Sequence, residues 1–172
     1  MCTWVLIEIV RYYLMCGSLV FAVFLDMTKA FDMVNYATLY NILAARGVDA
    51  IFLRLLFRGY LCQSARIRWL SAFSFSFPIL NGVRQGGILS PHFFAVYIDA
   101  IFDPKCHKNF GCWLGINYAG VIGYADDLVL LAPTLHGLRN LIFSVNKHVS
   151  ALSLRFNPTK SVAVTFGVAD CV

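Results

Sequence analysis

The sequence predicts an α+β fold in which helices cover one face of a mostly antiparallel sheet. Three observations point to it. Strand-like and helix-like stretches follow one another as strand, helices, hairpin, helix, hairpin, helix, strand. Residues 65–69 (ARIRW) and 73–77 (FSFSF) alternate strictly, the period of half-exposed strands that pair as a hairpin. Two short apolar runs, 121–124 and 128–131, flank adjacent carboxylates at Asp126 and Asp127, which reads as a hairpin with a tight Asp-Asp connection.

The elements follow in order. Residues 8–14 read as a helix ended by Gly17-Ser18. Residues 19–25 form a continuous apolar run, short enough for a buried strand, that stops at Asp26. Residues 35–46 carry Leu39, Ile42 and Leu43 on one helical face, and Gly47 ends that helix. A second helix runs over 49–60 with Asp49 as its N-cap. After the alternating hairpin and the glycine-rich turn NGVRQGG, Ser90-Pro91 opens a helix to about Phe102. Residues 134–152 are amphipathic, with Leu138, Leu141, Val145 and Val149 on one side. Phe156 and residues 162–166 make a final strand region. The whole is expected to be a single partial domain over 1–172.

The chain is unusually apolar, with 59% hydrophobic and 13% charged residues, which raises the question of a membrane. Its uncharged runs, 12–25 and 109–125, fall short of the about 20 apolar residues a spanning helix needs, and the second carries four glycines. Glu8 and Arg11 near the start do not suit a signal peptide. An intracellular protein, cytoplasmic or nuclear and without a membrane partner, is the expectation. The six cysteines contain no C-x-x-C pair. Cys106, His107 and Cys112 would supply half of a zinc site, but no second half follows, so free, mostly buried thiols are expected.

Six arginines against one acid between Arg46 and Arg84 account for the entire net charge of +5. Arg54, Arg58, Arg66, Arg68 and Arg84 are therefore candidate phosphate contacts; alone, the cluster would equally be a solvated face. Asp126 and Asp127 could likewise be no more than an exposed turn. Asp26, at the end of another buried strand, changes this. If that strand lies beside the 121–131 hairpin, carboxylates converge at one sheet end, and like charges there need a cation. Mg²⁺ suits such oxygen ligands, and two ions could align an attacking hydroxyl with a leaving pyrophosphate.

FLDMTKAFDMV, GVRQGGILSP and GYADDLVLLA, in that order, resemble the three core palm motifs of reverse transcriptases, and LSLRFNPTKS resembles the fourth. KAFD together with YADD is most similar to the non-LTR (LINE-type) retrotransposon enzymes; group II intron and telomerase-like relatives fit less well. The resemblance covers nearly the whole chain. It implies an RNA-directed DNA polymerase palm with two Mg²⁺ ions (Mn²⁺ as a substitute), an RNA template, a DNA primer and dNTPs. Asp26 and Asp126 would be metal ligands with the Met27 carbonyl, and Asp127 a nearby carboxylate of lesser role. Phe31 would block a ribose 2′-OH, although the position also suits a core aromatic. Gln85 would position the templating base or nucleotide, with Gly86 beside it, and Lys160 would neutralise or protonate the leaving pyrophosphate. Asp32 reads as structural, a cap for the helix near Asn35. The fingers motifs expected before the first motif and the thumb after the fourth are not in these 172 residues. An excised palm, inactive as an isolated chain, is thus the expectation, with a non-enzymatic remnant or nucleic-acid-binding module as the alternative.

Overall fold

A computed structural model describes residues 2–107 and 109–167. The elements are α1 (Cys2–Met15), β1 (Val20–Asp26), a 3₁₀ turn (Ala30–Met33), α2 (Tyr36–Ala45), α3 (Ala50–Leu61), β2 (Ser64–Ala65), β3 (Arg68–Trp69), β4 (Ala72–Phe73), β5 (Phe77–Pro78) and α4 (Ser90–Ile98). They continue with a 3₁₀ turn (Asp99–Phe102), α5 (Pro104–His107), β6 (Trp113–Leu114), β7 (Asn117–Tyr118), β8 (Val121–Tyr124), β9 (Asp127–Ala132), α6 (Leu135–Ala151) and β10 (Val162–Phe166). Two compact units result: Phe31–Tyr97 form one, and the described residues up to Ala30 and from Ile98 onward form the other.

The sheet-bearing unit holds four antiparallel strands in the order β10-β1-β9-β8. The α+β arrangement is as expected, but helices pack on both faces of the sheet, α6 on one and α1 on the other, rather than on one face alone. β1 is rich in Val and Phe; β10 and β9 pair with its two edges, and α1 and α6 take its faces out of water. Val23, Leu25, Leu128, Leu130 and Ala132 are buried on one face, and α6 packs on β9 and β1 through Leu138, Leu141, Val145 and Val149. The alternate residues Val20, Ala22 and Leu131 make a core with Ile9 of α1, Cys112 and Ala119. Each Val, Leu or Ile among them contributes about 1.5–3 kcal/mol by leaving water. α1 is longer than the 8–14 expected, because Val5, Leu6 and Ile9 also pack on this core.

The second unit is led by α2 and α3, which pack on each other. Asn35 caps α2 by accepting from the Thr38 amide, so the cap is not Asp32. Asp49 caps α3 as expected, accepting from Ile51 and Phe52. The alternating hairpin forms as two short ladders, β2–β5 and β3–β4. They are separated where the Ile67 amide donates to the Ser74 hydroxyl rather than continuing a regular ladder. Its alternation does not mark a buried face, since Trp69, Phe73 and Phe75 are all exposed. The helix expected to reach Phe102 tightens to 3₁₀ geometry after Ile98.

The cysteines Cys16, Cys62, Cys106 and Cys112 are free, but only Cys112 is buried, where burial pushes its thiol up to about 12. Composition suggested more burial than tertiary contact provides. The Cys2 side chain and Cys171 lie outside the described residues. The zinc half-site also fails. His107 is buried with Nε2–H donating to the Ile101 carbonyl and Nδ1 against the Ser144 hydroxyl, which leaves no ring nitrogen for a metal. Among the described residues, no helix is long and apolar enough to cross a membrane.

Burial holds the His107 pKa below its ordinary value; the nearby His148 ring acts in the same sense, while the Ile101 carbonyl and Asp103 oppose it. The neutral ring therefore contributes stability that is complete above about pH 6.5 and is lost as pH falls through the lower folded-state pKa. Urea unfolding at pH 7.5 and 5.5 is expected to show a larger acid loss for the parent than for His107→Gln. Equal losses would remove His107 from the acid response.

Candidate active site

The end of β1 places the first carboxylate. The apolar run that lets β1 cross the core stops at Asp26, which is half-buried. β9 runs antiparallel to β1, so its first residues lie at the same end, and the register sets Asp26 opposite Asp127. Cross-strand partners project from one face, so these two side chains are neighbours. By alternation this is the face of Phe24, Ala22 and Val20, which α1 covers farther along.

The connection before β9 differs by one residue from the expected Asp-Asp turn. Tyr124 pairs with Asp127, and the turn residues are Ala125 and Asp126. Ala125 takes φ 55, a left-handed conformation that costs a non-glycine residue about 1–2 kcal/mol. Asp126 is half-buried at the turn and Asp127 is exposed. Among the described residues, no three of His, Cys, Asp or Glu group together.

Beyond Asp26 the chain pairs differently. The Asp26 carbonyl accepts from the Asn157 amide at 2.8 Å, and the Thr28 amide donates to Arg155 at 2.9 Å, bracketing a bridge between Met27 and Phe156. Because backbone groups alternate sides along a strand, the amide and carbonyl of Met27 face away from Phe156, toward the side where β9 lies.

An open pocket of about 800 Å³ lies at this end of the sheet. Asp26, Asp127 and Lys160 line it, with Tyr124, Phe24 and Thr3 of α1. Lys160 is exposed on the loop leading into β10. An ion pair joins Arg11 and Glu8, and among the described residues Lys160 pairs with no carboxylate at the pocket.

The remaining candidates belong to the other unit. Phe31 is half-buried and stacks on buried Phe94, ring centroids 4.5 Å apart. Gln85 and Gly86 form an exposed turn, with Gly86 at φ 82. Arg54 and Arg58 are exposed one turn apart on α3. Arg66 and Arg68 are exposed on the hairpin, with the Arg68 guanidinium 5.9 Å from the centre of the Phe73 ring. Arg84 lines a second pocket with Leu55, Tyr60 and Gln63, and its carbonyl accepts from the Ser90 hydroxyl.

Sequence reasoning missed Asn157. Its carbonyl and side-chain oxygen gather hydrogen bonds from Thr159, Lys160 and Ser161. The Asn-Pro-Thr run that announces a turn was legible; the bond from its amide to Asp26 was not.

A family model described as reverse transcriptase (RNA-dependent DNA polymerase) matches residues 16–169. The Pol polyprotein of type-2 retrotransposable element R2DM of Drosophila melanogaster is 30% identical over 140 residues, 81% of this chain and 13% of that protein. The R2 element polyprotein of Nasonia vitripennis is 29% identical over 136 residues, 79% of this chain and again 13% of that protein. This chain thus corresponds to about an eighth of the length of these relatives. Among solved structures, telomerase from Candida tropicalis with a fragment of telomeric RNA superimposes with a TM-score of 0.73 at 13% identity, covering 95% of this chain and 29% of that one. At that identity the likeness speaks for the fold.

Proposed function

Because this chain belongs to the reverse transcriptase (RNA-dependent DNA polymerase) family, we propose that it is the palm-bearing part of a retrotransposon RNA-directed DNA polymerase. The observation that carries the reading is the meeting of Asp26, Asp127 and Lys160 in one pocket at the end of the sheet.

Members of this family generally use divalent metal ions. The donor set here is chemically suited to one: carboxylate oxygens at a strand end and a turn, with the Met27 carbonyl on the β9 side, are hard ligands of the kind Mg²⁺ takes. Asp26 and Asp126 with Met27 would hold Mg²⁺, or Mn²⁺ in its place, and Asp127 would be the auxiliary carboxylate. When bound, two such ions activate a primer hydroxyl and stabilise a leaving pyrophosphate. Lys160 would supply positive charge, and a proton, to that pyrophosphate. Phe31 would exclude a 2′-OH from the incoming dNTP, and Gln85 with Gly86 would lie beside the templating base. Arg54, Arg58, Arg66, Arg68 and Arg84 would contact phosphates of an RNA template and DNA primer. Their shared exposure, and the lack of any acid between Asp49 and Asp99, supports that role. Although it carries this machinery, the 172-residue chain by itself would bind weakly and not extend processively, because primer and nucleotide must be held in line.

The test is primer extension by the longest polypeptide encoded with this region, on an annealed RNA template and DNA primer with Mg²⁺. Template-directed addition of dNTPs, with rNTPs strongly disfavoured, is the expected result. A folded protein that binds the template–primer but adds nothing would identify a non-enzymatic binding module instead.

A further inference from the structure

We infer that Asn157 is a positioning residue for Lys160, clamping the loop that carries the lysine to the strand end that carries Asp26. The inference rests on the polymerase reading through the role given there to Lys160.

Lysine is a poor candidate for precise placement by itself. Its stem has four rotatable carbons, and holding it still costs about 1.5–2 kcal/mol of side-chain freedom. What a fold can fix is the point from which the stem departs. Asn157 does this from three of its groups. Its amide donates to the Asp26 carbonyl at 2.8 Å. Its side-chain Oδ1 accepts from the Thr159 amide at 3.1 Å and the Thr159 hydroxyl at 2.7 Å. Its own carbonyl accepts from the amides of Lys160 at 3.3 Å and Ser161 at 3.1 Å, and from the Ser161 hydroxyl at 2.7 Å.

Lys160 is therefore flanked on both sides by residues tied to Asn157, and Asn157 is tied to Asp26. Pro158, inside the loop, fixes its own φ and removes one backbone freedom. The consequence is specific. Asp26 and Lys160 line one pocket, from the end of β1 and from the loop leading into β10, and the hydrogen bond from the Asn157 amide to the Asp26 carbonyl links the two segments beside that pocket.

In the proposed reaction the primer 3′-hydroxyl gives up its proton to solvent and its oxygen forms a bond to the α-phosphorus of the dNTP as the bond from that phosphorus to the pyrophosphate oxygen breaks. The electron pair leaves with the pyrophosphate, Lys160 Nζ gives that oxygen a proton, and solvent restores the lysine. Asn157 touches none of the reacting atoms; it sets where Nζ starts from.

The test uses the polymerase polypeptide that contains this region and two kinds of measurement. First, amide hydrogen exchange at Thr159 is expected to accelerate in Asn157→Ala, and to return toward the parent in Asn157→Asp, which keeps the acceptor. Unchanged exchange in Asn157→Ala would overturn the inference whatever the activity. Second, single-turnover dNTP addition is compared in a cycle with Lys160. Lys160→Ala is expected to slow addition by roughly 10²-fold and Asn157→Ala by about tenfold, with little change in dNTP affinity. The double variant should be no slower than Lys160→Ala alone. Multiplying effects, or a parent-like rate for Asn157→Ala, would overturn the positioning role while leaving the polymerase reading intact. A folded parent that performs no templated addition would overturn that reading and the inference together.

Discussion

Gly111→Ala is expected to destabilise the sheet-bearing unit by roughly 2–5 kcal/mol, the sum of backbone strain and overpacking. Gly111 has φ 94, where a side chain is strained, and an added Cβ would lie 2.8 Å from the Gly120 Cα and 3.2 Å from the Leu131 carbonyl oxygen. Those are backbone atoms, which cannot rotate aside. The close approach exists because Leu131 of β9 is held from two places: its amide donates to the Gly120 carbonyl at 2.8 Å, and its carbonyl accepts from the Cys112 amide at 2.9 Å. β9 is also the strand that presents Asp127, so the two glycines anchor the far end of a strand carrying a site residue. Gly115→Ala separates the causes, since its φ is 62 but nothing lies within 4 Å of the added Cβ. It should cost only about 1 kcal/mol. Urea unfolding of both variants measures the difference. Equal losses would show that residues 111 and 120 do not make this contact.

Local chemistry was readable from the sequence because it acts over a few residues. Asp49 caps α3, and β1 ends at the Asp that follows its apolar run. Register was not readable to the residue. Whether Asp126 or Asp127 stands opposite Asp26 depends on where the turn closes, and the turn closes on Ala125 in a conformation that alanine disfavours. Propensity argues against that choice, and tertiary pairing overrides it. The 64–78 hairpin failed in another way. Alternation reports a difference between two faces only when one face is buried, and here neither is. The two-residue strands β6 and β7 give too short a pattern to detect. Asn157 was half legible: its turn is local, but its bond to Asp26 joins distant segments.

Asparagine at Asp26 or Asp126 is expected to lower the rate of templated nucleotide addition by at least roughly 10³-fold, the equivalent of about 4 kcal/mol of transition-state stabilisation. Asparagine at Asp127 should cost about tenfold, the loss of one nearby charge rather than of a ligand. The substitutions keep side-chain size, and Asp126 and Asp127 sit at or beside a solvent-facing turn, so folding and template–primer binding should be little changed. That separates chemistry from stability. The ranking is also where the family resemblance and the sheet geometry pull apart. The resemblance assigns the metal to Asp26 and Asp126. The register makes Asp127 the cross-strand neighbour of Asp26, and Asp127 rather than Asp126 lines the pocket with Lys160. A single-turnover series with Mg²⁺ varied decides between them. Ligand loss should raise the Mg²⁺ needed for half-maximal rate, whereas loss of an auxiliary charge should lower the rate with little change in that requirement. If Asp127→Asn shows the raised requirement and Asp126→Asn does not, the ligands are the cross-strand pair, and the turn carboxylate takes the lesser role.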